Sequence, residues 1–174
     1  FFLLSGKPML YACNLKEEEI ADSGSNPFLK PFQEWADSQQ DANCCVISAK
    51  MEEELSELSE EDAKEYLEAM GVQDSGVTSL INATYDLLGL ASFLTAGEKE
   101  ARAWTFRHGM TAPQCAGVIH TDFEKSFIKA EVVSYDHLVE AGSMQKARDG
   151  GKLRLEGKEY VFADGDVVRF KCNA

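Results

Sequence analysis

Pro8-Met9-Leu10-Tyr11-Ala12-Cys13 runs directly into Asn14-Leu15-Lys16-Glu17, and Cys44-Cys45-Val46-Ile47 runs into Ser48-Ala49-Lys50. The first apolar run is short, continuous and bounded by Gly6-Lys7 and Asn14, the pattern of a strand buried on both faces in a parallel sheet. Cys44 to Ile47 predicts a second strand of the same kind. Between them, Asn26 followed by Pro27 predicts a helix with proline at its first position. Phe28, Phe32, Trp35 and Ala36 fall on one face, and the helix ends near Gln40. Strand, helix and strand at this spacing predict a right-handed βαβ crossover. Both polar loops then lie at the C-terminal ends of neighbouring strands, the edge at which open α/β sheets bind ligands.

Outward from this unit, Met51 to Met70 reads as two consecutive Glu-rich helices closed by Gly71, with Ser59 and Asp62 approximating a capping box. Glu52-Glu53-Glu54 reads as a solvated face near a helix N-terminus. Gly76 to Leu88 is helical by spacing and stops at Gly89. Beyond it the period changes. Ala101 to Arg107 and Phe127 to Val133 alternate, with Ile128, Ala130 and Val132 expected on one face and Lys129 and Glu131 on the other. Asp136 to Ala141 reads as a short helix. Lys152 to Leu155 and Tyr160 to Phe162 flank a turn at Gly157, and Val167 to Cys172 forms a closing strand. These elements make a small α+β sheet with one or two helices packed on it.

The charge divides the same way. The 174 residues carry 30 Asp plus Glu against 17 Lys plus Arg, net -13. Residues 1–89 hold 18 acids and 5 bases, whereas residues 90–174 are neutral, so two abutting modules are expected. An acidic first module disfavours nucleic acid there. In the second, Arg102, Arg107, Lys125, Lys129, Arg169 and Lys171 mix with aromatic strands and offer the one candidate phosphate-facing patch, the plain alternative being a solvated surface. No apolar run approaches the roughly 20 residues that span a bilayer, and Phe1-Phe2-Leu3-Leu4 is too short for a signal-peptide core. A chain opening at Phe1 without Met reads as a piece of something longer. Cys13, Cys44, Cys45, Cys115 and Cys172 lack CxxC spacing and read as reduced thiols. His108, His120 and His137 fit no zinc or hydrolase spacing. Neither a metal site nor a catalytic residue is expected.

The two loops suit a purine. The Asn14 amide presents a donor and an acceptor to a base edge, Leu15 gives an apolar face to the ring, and the Ala49 backbone N–H reaches the substituent at ring position six. In guanine-binding P-loop proteins the fourth residue of the first loop is Asp, which accepts from guanine N1–H and the 2-amino group. Glu17 is one methylene longer, so guanine selectivity is expected to weaken, since a buried unpaired polar group costs about 1–3 kcal/mol. A purely structural reading of the same residues has Asn14 beginning a turn and Glu17 capping the next helix.

At these residues the sequence resembles the C-terminal half of the Obg-like ATPase (YchF) family of P-loop NTPases. The resemblance rests on Lys7-Pro8 leading to Asn14-Leu15-Lys16-Glu17, and on Thr95-Ala96-Gly97-Glu98-Lys99-Glu100-Ala101-Arg102-Ala103-Trp104-Thr105-Phe106-Arg107. Ala112-Pro113-Gln114, Gly117 to Glu124, Asp164-Gly165-Asp166 and Phe170-Lys171-Cys172-Asn173 continue it. It implies that residues 1–89 are the last part of a G domain and residues 90–174 a TGS domain, a ubiquitin-like β-grasp. It further implies a cytosolic protein that binds and hydrolyses ATP in preference to or alongside GTP and associates with ribosomal RNA or protein. Asn14, Leu15 and Glu17 match the family's base-recognition motif, whereas Ser48-Ala49-Lys50 departs from many members in looking like the guanine-type loop. No GxxxxGK[ST] occurs in these residues, so hydrolysis and Mg2+ are expected only in the intact parent protein. The competing expectation is a stand-alone β-grasp binding module without nucleotide chemistry.

Overall fold

A computed structural model describes residues 3–97 and 100–173. Phe1-Phe2 and, in the family-like stretch, Glu98-Lys99 lie outside the described residues. The chain divides into two units, one ending at Leu88 and one beginning at Gly89.

The first unit contains β1 (Met9–Asn14), α1 (Glu17–Ile20), α2 (Leu29–Asp37), β2 (Ala42–Ile47), α3 (Ala49–Ser56), α4 (Glu60–Ala69) and α5 (Gly76–Leu88). β1 and β2 are parallel, in register from Met9 beside Ala42 to Asn14 beside Ile47. The Leu15 N–H donates to the Ile47 carbonyl at 2.9 Å and carries the ladder past the strand ends. α2 grips this pair through Tyr11, whose ring meets Phe32 and Trp35 at 5.4 Å, and through the buried Leu29 and Ala36. Two expectations are corrected here. The helix starts at Leu29 rather than Pro27, because Asn26 Oδ1 accepts the Phe28 N–H at 3.0 Å in a side-chain turn, which leaves Phe28 exposed. β1 is not buried on both faces: Met9, Ala12 and Asn14 are exposed, since among the described residues only β2 pairs with it. α5 lies close on β2 because Gly76 has no side chain. A Cβ there would meet Ile47 Cβ at 3.1 Å, and the Gly76 N–H donates to Glu52 Oε1. Glu52 is therefore tied into the unit rather than simply solvated.

The second unit is a five-stranded mixed sheet in the order β4-β3-β7-β5-β6. Its elements are β3 (Leu90–Ala96), β4 (Ala101–Arg107), α6 (Ala112–Ile119), α7 (Thr121–Ser126), β5 (Phe127–Ser134), α8 (Tyr135–Ala141), α9 (Met144–Asp149), β6 (Arg154–Glu156) and β7 (Asp166–Cys172). β3 and β7 are parallel, and the other pairs are antiparallel. On one face Phe93, fully buried, meets Phe162 at 5.4 Å and Phe106 and Phe170 at 5.9 Å. The small residues Ala112, Cys115 and Ala116 let α6 approach that cluster closely. On the other face Val133, Val167 and Ala147 form a smaller core under α8 and α9.

Asp164-Gly165-Asp166 is a fastening. Asp164 Oδ1 accepts the Ser92 N–H at 2.7 Å, and Gly165, at φ 76°, donates its N–H to the Ser92 carbonyl at 2.9 Å. The buried Asp166 carboxylate accepts from the Tyr160 hydroxyl at 2.7 Å, the Ala163 N–H at 3.0 Å and Arg154 at 3.3 Å.

Three sequence expectations change in this unit. β3 was not anticipated, and with it β7 lies inside the sheet rather than closing it. A β-bulge between Phe127 and Lys129 turns Phe127 inward and leaves Ile128 exposed, so Ile128 does not share a face with Ala130 and Val132. Four helices of the described residues, α6 to α9, accompany the sheet rather than one or two. Lys152 to Leu155 and Tyr160 to Phe162 do flank the turn at Gly157, whose carbonyl accepts the Tyr160 N–H at 3.3 Å, and Val161 bridges Thr111. Among the described residues no helix is long and apolar enough to cross a membrane.

Candidate functional site

Because β1 and β2 are parallel and Asn14 sits beside Ile47, the loops that follow them emerge side by side. Asn14 Oδ1 accepts the Ala49 N–H at 3.0 Å across 35 positions of sequence. This bond fixes the Asn14 rotamer and leaves its NH2 group as the outward donor. The cleft beside it has a volume of about 390 Å³ and is lined by residues 14–18 with Ser48 and Lys50. A neighbouring cleft of about 440 Å³, also lined by Asn14 and Leu15, runs along β1 to Tyr11, Phe28 and Phe32 and has no charged lining. Ser48 is only 2 % exposed, and its hydroxyl has no hydrogen-bond partner among the described residues. Buried hydroxyls are rarely left so in the absence of a ligand or water.

Glu17 is held at both oxygens. Lys50 Nζ lies 2.9 Å from its Oε2, and the Tyr66 hydroxyl lies 2.9 Å from its Oε1. These two bonds, the Lys50 bond the stronger influence, hold the carboxyl below its ordinary pKa, and the same pairing raises Lys50. The Tyr66 hydroxyl also lies 2.8 Å from Glu54 Oε2, and the two carboxylates with partial burial push the phenol well above its usual range. The acid that caps α1 is Glu19, whose Oε2 accepts the Lys16 N–H at 3.3 Å, and not Glu17. Asn14, Leu15, Glu17, Ser48, Ala49 and Lys50 are thus brought together, joined by Tyr66 and Glu54, which sequence reasoning placed on a helix stripe and in an acidic run.

The six cations do not form one patch. Cross-strand partners share a face, and Lys129 pairs with Lys171 while Glu131 pairs with Arg169, so these project together on the α8/α9 side. Alternation along β3 and β4 puts Arg107 on that side too, but at the opposite end of the sheet, since its partner Leu90 precedes Leu94, which lies beside Val167 at the start of β7. Arg102 is on the opposite face, its guanidinium 4.0 Å over the Trp104 ring, and Lys125 is on α7. Glu131, nearly buried, anchors the cluster, with Arg148 at 2.7 Å and Lys171 at 3.9 Å.

All five cysteines are free thiols. Burial raises Cys13, Cys44 and Cys45 and pushes Cys115 up to about 12, which favours the thiol over the nucleophilic thiolate. Among the described residues no group of three or more His, Cys, Asp or Glu is arranged to hold a metal ion.

Residues 90–173 match the family model YchF-GTPase_C, described as "Protein of unknown function (DUF933)". The chain is 50% identical over 171 residues to the ribosome-binding ATPase YchF of Bacillus subtilis strain 168, covering 98% of this chain and 46% of that protein. It is 44% identical to the Obg-like ATPase 1 of Rattus norvegicus, covering 98% of this chain and 43% of that protein. The solved structure of the Schizosaccharomyces pombe YchF GTPase superimposes with a TM-score of 0.80 at 36% identity, over 97% of this chain and 44% of that one. The chain spans about half the length of the curated relatives it matches.

Proposed function

The chain belongs to the YchF and Obg-like ATPase family of P-loop NTPases, and from that premise we propose that it supplies purine-base recognition and ribosome docking to a cytosolic nucleotide hydrolase. In this reading residues 1–89 are the end of a G domain and residues 90–174 a β-grasp TGS domain. The observation that carries it is the Asn14–Ala49 bond, which joins the two loops at one cleft. Asn14 Nδ2 donates to a ring nitrogen of the base and Leu15 packs on the ring, beside the buried Ser48 hydroxyl, which has no hydrogen-bond partner among the described residues. The nucleotide is ATP or GTP. Its phosphates and Mg2+ are held by residues of the longer protein outside these 174.

Ribosome docking is assigned to the second unit. The first unit's surplus of 18 acids over 5 bases repels a phosphate backbone, whereas the second unit is neutral and gathers Lys129, Arg169 and Lys171 on one sheet face. The test of the base site is nucleotide affinity of the intact protein with Asn14→Ala. A loss of about tenfold for ATP, the scale of one hydrogen bond plus a loosened loop, is expected. Unchanged affinity removes the base-reading role and leaves Asn14 as a loop fastener.

A further inference from the structure

Tyr66 and Glu54 stand behind the cleft, in contact with its lining residues Glu17 and Lys50, and the base-reading chemistry gives neither of them a part. A phenol carries one hydrogen, yet the Tyr66 oxygen sits 2.9 Å from Glu17 Oε1 and 2.8 Å from Glu54 Oε2, so it donates to only one carboxylate at a time. Lys50 spans the same two acids, at 2.9 Å from Glu17 and 3.6 Å from Glu54. The two carboxylates therefore compete for two donors carried on α3 and α4.

We propose that Tyr66 and Lys50 are positioning residues that clamp Glu17 and thereby set the purine selectivity of the site, with Glu54 as the competitor that loosens the clamp. The inference rests on the base-recognition reading of Asn14 and Ser48-Ala49-Lys50. Reading guanine requires two parallel carboxylate oxygens aimed at N1–H and the 2-amino group. Adenine presents a lone pair at N1 and a C–H at position two, so a carboxylate aimed at it repels. Glu17, held by one oxygen from α3 and by the other from α4, cannot turn both toward a base. Each oxygen keeps a second lone pair, so the clamp acts on direction rather than on capacity. A site with Glu17 turned away accepts adenine without that repulsion and gives guanine no matched pair.

The experiment measures ATP and GTP affinities of the protein produced from its complete coding sequence, as wild type and with Tyr66→Phe, Glu54→Gln or Asn14→Ala. Tyr66→Phe keeps the ring and removes the hydroxyl, freeing Oε1 of Glu17. The GTP-to-ATP affinity ratio is expected to rise about tenfold, the size of one charge-assisted hydrogen bond. Glu54→Gln replaces the charged competitor with a neutral, weaker acceptor whose NH2 can donate to the Tyr66 oxygen, shifting the Tyr66 hydrogen toward Glu17, and the ratio is expected to fall roughly threefold. A merely structural role for Tyr66 lowers both affinities together and leaves the ratio in place. An unchanged ratio in Tyr66→Phe, with Asn14→Ala still weakening both nucleotides, overturns the clamp while the base site stands. No effect of Asn14→Ala on either nucleotide overturns the base reading beneath it.

Discussion

Asn14 and Ser48-Ala49-Lys50 were legible because each is a short polar run at the end of an apolar strand, and parallel pairing alone brings them together. Tyr66 was not. It lies 49 positions from Glu17, and on a helix stripe a tyrosine reads as an apolar body with no sign of where its hydroxyl goes. Cys115 and Tyr160 lead to a residue-scale prediction about pH. Burial raises Cys115 from its ordinary 9.0 to about 12, and burial with the Asp166 bond raises Tyr160 from 10.0 to about 12. Both folded values lie above the unfolded ones, so the stability they contribute is complete below the unfolded values and is lost as pH rises through the folded ones. The denaturation midpoint of the second unit is therefore expected to hold to about pH 9 and fall between about 9 and 12. A midpoint that stays level across that interval contradicts the burial of both groups.

Among the elements, β2, α3, α4, α5, β4 and β7 follow from periodicity and caps, with Ser59 accepting the Asp62 N–H at 3.2 Å as its spacing suggests. β3 was hidden because Leu87, Leu88, Leu90, Ala91 and Leu94 continue the helical spacing of α5. Only Gly89, at φ 61°, separates helix from strand. The bulge at Phe127 escapes any count of alternation, because one inserted residue swaps the faces of what precedes it. The resulting sheet faces separate the cations, and ribosome binding tests the separation. Lys129→Glu with Arg169→Glu is expected to weaken ribosome binding about tenfold and flatten its salt dependence between about 50 and 200 mM, whereas Arg102→Glu has little effect. Equal losses from both faces, or a response indifferent to salt in the wild type, contradict docking of that face on phosphates.

For the whole molecule, the change of charge near residue 89 and the change of hydropathy period at the same place gave the sequence its two modules. The structure divides at Leu88 and Gly89. Neither signal reports what completes the open edge of β1, whose only strand partner among the described residues is β2. The relatives' greater length supplies that context: this chain matches about half of each, so the proposed hydrolase is assembled from these loops and from residues outside them. The most direct test of base recognition is a crystal structure of the intact protein with a non-hydrolysable ATP analogue. The adenine is expected between Leu15 and the Ser48-Ala49-Lys50 loop, with Asn14 Nδ2 within about 3 Å of a ring nitrogen. An adenine seated away from both loops, with Asn14 still bonded only to Ala49, contradicts the assignment.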